Sequence, residues 1–317
     1  VHPMRVHRFV ARLALMLAVS LPAMPSTGAD DAFKSFKQLD STAKMPKLKA
    51  FSPDFGATLK PPVAKNIVFE AKLTGDGEPV QQGLSWRVFS PIPADDGKLP
   101  LVASSEGGSA DFQLSPGDYF VNVSFGRAGA TKKLTVPESG DVDKQVLVLD
   151  AGGILLNAVS GDDTRIPTAD LKFSVYSSET QEDGERGLVM ANVKPNTIVR
   201  LNTGTYHVVS EYGSVNAVVR ADLKVEAGKL TEATIQHRAS QISFKLVSEA
   251  GGEAIADTAW SILTASGDVV AESVSAFPVM VLAEGGYTAI ARNKDKIYQK
   301  DFTVEAGHNI DVELILN

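Results

Sequence analysis

Leu114-Ser115-Pro116-Gly117-Asp118-Tyr119, Leu201-Asn202-Thr203-Gly204-Thr205-Tyr206 and Leu282-Ala283-Glu284-Gly285-Gly286-Tyr287 are three copies of one hexapeptide, Leu-x-x-Gly-x-Tyr, in a chain of 317 residues. By their numbering the copies stand 87 and 81 residues apart. Each runs into an alternating stretch such as Tyr119-Phe120-Val121-Asn122-Val123-Ser124-Phe125, the period-two pattern of a strand with one buried face. The motif predicts a turn between two strands. Its Leu closes the first strand by pointing inward. Its Gly takes a backbone conformation that a Cβ would hinder. Its Tyr buries the ring while the hydroxyl returns to the backbone of the corner. One such hexapeptide is common, but three with matching flanks predict a tandem repeat.

Two further alignments fix the register. Trp86, Phe173 and Trp260 follow one another at steps of 87 residues, so both tryptophans of the chain occupy one repeat position. A ring there is expected to fill the space between two sheets rather than serve as a ligand platform. Val225-Glu226-Ala227-Gly228 and Val304-Glu305-Ala306-Gly307 form a second shared motif. Val136-Pro137-Glu138-Ser139-Gly140 is a copy one residue longer. These stretches predict the turn before the last strand of each unit. No segment carries a convincing 3.6-residue period. The fold class is therefore all-β, with three tandem seven-stranded β-sandwich modules at 67–150, 151–240 and 241–317. Units of about 85 residues can each close a core. Their joints, Asp150 to Gly153 and Arg238-Ala239-Ser240, are short and predict a semi-rigid, elongated rod.

The start of the chain differs. Residues 1–29 read as a signal peptide: Arg5, Arg8 and Arg12 precede an apolar run from Leu13 to Met24, and Thr27-Gly28-Ala29 is a small-residue cleavage site. The run is shorter than the ~20 residues of a spanning helix, so retention as an anchor is the lesser alternative. The chain has no Cys, which excludes both a lipid-modified Cys and any disulfide. Losing three arginines takes 31 basic residues to 28, against 38 acidic ones, for a net charge of −10. That balance argues against nucleic-acid binding and fits an exported protein, periplasmic or associated with the outer envelope. Residues 30–66 carry Lys34, Lys37, Lys44, Lys47, Lys49, Lys60 and Lys65 against four Asp. They read as a Lys- and Pro-containing linker, or as a tether making peripheral contact with an anionic membrane surface.

The succession Leu-x-x-Gly-x-Tyr, strand, Val-Glu-Ala-Gly, final strand resembles immunoglobulin-like and transthyretin-like sandwiches, in particular the carboxypeptidase regulatory-like modules and the Cna B-type repeats of surface adhesins. The resemblance covers about 67–317. The whole chain is also similar to exported proteins of alphaproteobacteria, a likeness that implies no particular role. In the related modules the usual role is structural: stalks, spacers or accessory domains. Some Cna B-type modules form a Lys–Asn isopeptide bond beside a buried acid, and Lys245 and Asn317 invite that comparison. The alternation places Lys245 between Phe244 and Leu246 on the polar face, and the strand after Tyr287 offers no acid in the expected place. The cross-link is not expected.

No catalytic, metal or cofactor constellation stands out. His207, His237 and His308 fall at unrelated repeat positions, without metal-ligand spacing. His207 is expected on the outer face. No Gly-x-Ser-x-Gly elbow supports a hydrolase, although a triad assembles in space and not in sequence. The acidic loops Asp162-Asp163 and Glu182 to Glu185 lack the ligand order of an EF-hand. The sequence thus predicts a non-enzymatic structural or protein-interaction protein of the cell envelope, whose partner is another envelope protein or a surface polymer. The rival reading is carbohydrate or envelope-polymer binding, with Tyr176, Tyr212 and Tyr298 as candidate stacking rings. An unrecognised hydrolase ranks third.

Overall fold

The computed structural model describes residues 62–316. The signal-like segment, residues 30–61 of the Lys-rich stretch and Asn317 lie outside the described residues.

The first module comprises β1 (Lys65–Lys72), β2 (Leu84–Phe89), β3 (Leu101–Gly107), β4 (Ala110–Leu114), β5 (Gly117–Phe125), β6 (Ala128–Val136) and β7 (Gln145–Val148). The second comprises β8 (Ala151–Ser160), a two-residue β9 (Thr164–Arg165), a 3-10 turn at Thr168–Asp170, β10 (Leu171–Thr180), β11 (Arg186–Val193), β12 (Ile198–Asn202), β13 (Gly204–Tyr212), β14 (Ala217–Val225) and β15 (Leu230–His237). The third comprises β16 (Ala239–Val247), β17 (Ala259–Thr264), β18 (Val269–Val274), β19 (Val279–Ala283), β20 (Gly285–Asn293), β21 (Lys296–Val304) and β22 (Ile310–Ile315). Among the described residues no helix is long and apolar enough to cross a membrane.

Two sheets recur in each module. Their strand orders are β4-β1-β7 and β3-β2-β5-β6, then β12-β8-β15 and β11-β10-β13-β14, then β19-β16-β22 and β18-β17-β20-β21. In the second module β9 also pairs with the end of β8, which gives that module eight strands where seven were expected. The four-stranded sheets are antiparallel throughout. In the three-stranded sheets the first strand of the module pairs parallel with the last. This pairing decides how the chain grows. A last strand parallel to the first ends at the opposite end of the module from the point of entry. The next module then begins beyond it, and the modules follow one another end to end.

Alternation explains the layers. In β4 Ala110, Phe112 and Leu114 are buried while Asp111 and Gln113 are exposed. Each module encloses its own apolar cluster, drawn from both of its sheets. Trp86 and Trp260 are fully buried, their rings 5.7 Å from Phe69 and 5.6 Å from Phe244. Phe173 is equally buried in the second module. The first sheet takes in Lys65 and Asn66, which pair with Leu114 and Gln113.

Candidate functional site

The corners have one geometry in all three modules. Leu114, Leu201 and Leu282 are buried. Gly117, Gly204 and Gly285 have φ of 148°, 155° and 152°, a region open essentially to glycine alone. The hydroxyls of Tyr119, Tyr206 and Tyr287 donate to the carbonyls of Ser115, Asn202 and Ala283, four residues back, at 2.9, 2.9 and 2.8 Å. Burial raises the pKa of Tyr119 and of Tyr206. The corner glycines pair with Val136, Val225 and Val304, so the two repeated motifs meet across one hairpin. The indole nitrogens of Trp86 and Trp260 donate to Gly108 O and Ser275 O at 2.8 and 2.9 Å. Phe173 holds the same place without a donor.

The joints between modules also follow one plan. At the first, the β5–β6 hairpin meets β12: Arg127 N donates to Arg200 O at 3.0 Å, and the Arg200 guanidinium stands 4.5 Å from the Phe125 ring centroid. At the second, the β13–β14 hairpin meets β19. Val281 of β19 packs into the core of the second module, while Val215 of the hairpin packs against that of the third. Arg200 and Val281 hold equivalent positions, each one residue before the corner Leu. The hairpins approach them so closely that glycine is needed. A Cβ on Gly126 would lie 2.9 Å from Arg200 Cβ, and one on Gly213 would lie 2.6 Å from Val281 Cβ.

A single carboxamide clasps each joint, from opposite sides. Asn202, in the downstream module, accepts from Gly129 N at 3.1 Å and donates to Gly129 O and Leu149 O at 3.1 and 2.7 Å. Asn216, in the upstream hairpin, accepts from Ala283 N and donates to the Tyr287 hydroxyl, both at 2.9 Å. A primary amide suits either place because it offers acceptor and donors side by side. The connecting backbone repeats its bonds: Thr203 N donates to Asp150 O at 2.7 Å, and Glu284 N to Arg238 O at 2.8 Å.

Among the described residues the titratable groups do not converge on one site. His207 lies on the outer sheet face, as the alternation requires, but is largely covered; its Nδ1 sits 2.7 Å from Asp222 Oδ1. His308 is exposed. His237, the last residue before the second joint, is 1% exposed. Its Nε2 lies 2.7 Å from Ser210 Oγ and its ring meets Tyr212 edge-on. Burial pushes its pKa down to about 4. Among the described residues no three His, Asp or Glu side chains come together as metal ligands. In the loop of Glu182 to Glu185, Asp183 accepts from Glu185 N and so shapes its own turn. Lys245 pairs with Glu313, its neighbour on β22, at 2.7 Å. Asn317, the residue compared with Lys245 for a cross-link, lies outside the described residues. Of the three rings considered for sugar stacking, Tyr212 is buried in the second core and Tyr298 packs against the third.

The class defined by these sheets, corners and joints is an all-β protein of tandem sandwich modules. Residues 241–316, the third module, match a family model described as the Rhizobiales growth-associated tandem repeat domain. No curated protein matches the chain. Among solved structures it is similar to the Bacillus anthracis TIE protein, with 17% identity and a TM-score of 0.22, covering 80% of this chain and 50% of that one. The Streptococcal ancillary pilin shows 13% identity and a TM-score of 0.29, covering 80% of this chain and 99% of that one. The minor pilin GBS52 of Streptococcus agalactiae shows 14% identity and a TM-score of 0.28, covering 55% and 95%. Likeness at this level carries over no activity and no partner.

Proposed function

We propose that the chain is a non-catalytic structural and protein-interaction unit of the cell envelope, exported and acting as a spacer of fixed geometry. The observation behind this reading is the repeated joint. Equivalent glycines, equivalent β4-type strands and an amide clasp hold successive modules, so the chain invests its specific polar contacts in shape. The side chains that could do chemistry are used locally: His207 pairs with a neighbouring Asp, His237 with a neighbouring Ser. A spacer needs something at each end, and the Lys-rich residues before Pro62 are suited to an anionic surface at one of them.

The test is in-cell cross-linking followed by affinity purification, comparing the full chain with a form lacking 30–61. Capture of one specific envelope protein by the full chain is the expected result, and its loss on deletion would give the Lys-rich segment the docking role. Failure of both forms to capture a protein, together with retention of both on purified envelope polymer, would overturn the reading in favour of polymer binding.

A further inference from the structure

The threefold repeat supplies an internal control for every surface position. On the outer face of the β18-β17-β20-β21 sheet, Val274, Ala259, Arg292 and Ile297 lie in register across the four strands, with Glu272 and Ile290 in the next row. Val274 and Ile297 are 79% and 68% exposed. These six side chains border one shallow depression. At the positions of Val274, Ile290 and Ile297 the first module has Glu106, Asn122 and Gly129. There Ser85 donates to Glu106 and Asn122 to Thr131, so that face is polar and satisfied. In the second module Glu211 stands where the third has Arg292, and it is paired with Lys172. The second module is apolar at two of these places, with Val209 for Ile290 and Val218 for Ile297, but its charges there are paired with each other. In the third module Glu272 and Arg292 have no ion-pair partner among the described residues, beside an apolar strip that includes the exposed Val274.

We infer that this face binds a second copy of the chain through a two-fold axis. Val274, Arg292, Ile290 and Glu272 mark the corners of a near-square, two strand spacings by two residues, roughly 9–10 Å by 7 Å. An axis lying in the interface along the Val274–Ile290 diagonal sets each of those residues against its own counterpart. The same axis brings Arg292 of each copy to within about 4 Å of the corner held by Glu272 of the other, a gap that the two long side chains span. The patch is therefore self-complementary in both apolarity and charge, which an isologous contact requires. The end of the module is less suited to self-association. Lys294 holds the place of Gly126 and Gly213, and a side chain there blocks another joint of the kind described above. Four strands span only about 15 Å, so the contact is at the low end of specific interfaces and the dimer is weak and concentration-dependent. The inference does not depend on the spacer reading, because association can be measured without any envelope partner.

The test is sedimentation equilibrium of the full chain over a wide concentration range at low and high salt. A monomer–dimer equilibrium weakened by salt is expected. Ile297→Asp should abolish it. Arg292→Glu and Glu272→Arg should each weaken it by about tenfold or more, because like charges then face each other, and the double exchange should restore it. All three positions are exposed on the sheet surface, and far-ultraviolet circular dichroism checks that each variant keeps its fold. A chain that stays monomeric at every concentration overturns the inference. So does a dimer indifferent to Ile297→Asp, or a double exchange that recovers nothing.

Discussion

Replacing Gly213 by Ala adds one methyl group at the second joint and should loosen it measurably. Two costs arise. Gly213 has φ +69°, and an L-residue in that region costs about 1–2 kcal/mol. The new Cβ would also fall 2.6 Å from Val281 Cβ and 2.8 Å from its Cγ2, roughly 1 Å inside the ~3.5–4.0 Å optimum for carbon pairs. Val281 cannot rotate away, because the contact is with its Cβ and the side chain is 7% exposed. The hairpin and β19 must part, at an overpacking cost of about 1–3 kcal/mol. The control lies in the same module: Gly184 has φ +85° and open space around its Cβ position. Gly184→Ala should pay the backbone cost alone. Hydrogen exchange across β13, β14 and β19 reads the joint locally, which a global melt of three modules does not. Gly213→Ala should lower protection there by about 1–3 kcal/mol more than Gly184→Ala does. Equal losses would refute the reasoning, since they would mean that the modules separate at no cost.

Other predictions concern the corners and the buried histidine. Tyr206→Phe removes one hydroxyl-to-carbonyl bond and should cost about 1 kcal/mol in chemical unfolding. Tyr287→Phe should cost more, because its oxygen also accepts from Asn216, and a double-mutant cycle with Asn216→Ala should show clear non-additivity. Gly204→Val, at φ +155°, should destabilise the second module by about 1–3 kcal/mol, whereas unchanged unfolding would remove the corner from the account. His237 binds its proton less tightly in the folded chain, at about 4 against an ordinary 6.5. Its contribution is thus complete above pH 6.5 and is lost as pH falls towards 4, to an extent of up to about 3 kcal/mol. His237→Gln should flatten that part of the stability–pH profile, and a profile with the wild-type slope would show that other groups cause it.

The repeat was legible because it uses residues with few substitutes. Only Gly tolerates the corner, only Tyr combines a buried ring with a hydroxyl of that reach, and large rings between sheets stand out in a chain with two tryptophans. Strand alternation carried the sheet faces as far as Lys245 and His207. The joints were not legible beyond their shortness. Asn202 and Asn216 do the same work from non-equivalent positions on opposite sides of a joint, so no alignment of repeats brings them together. Tyr212 was a candidate stacking ring, yet it is buried in the second core with its ring against that of His237. His237 shares the parity of buried Ile235, which marks an inward ring that metal-ligand spacing does not register. The third module's apolar strip was equally hidden, because its residues come from four strands and each strand by itself reads as ordinary.

A spacer of the proposed kind holds both joints in one fixed geometry. The absence of Cys makes paired spin labels straightforward. Thr135, Lys224 and Thr303 are exposed and each faces the residue after its corner glycine, so they occupy one position in successive modules. Distances measured by double electron–electron resonance between labels at 135 and 224, and between labels at 224 and 303, should give two narrow distributions with closely similar means. Broad distributions, or two narrow ones with clearly different means, would contradict the account.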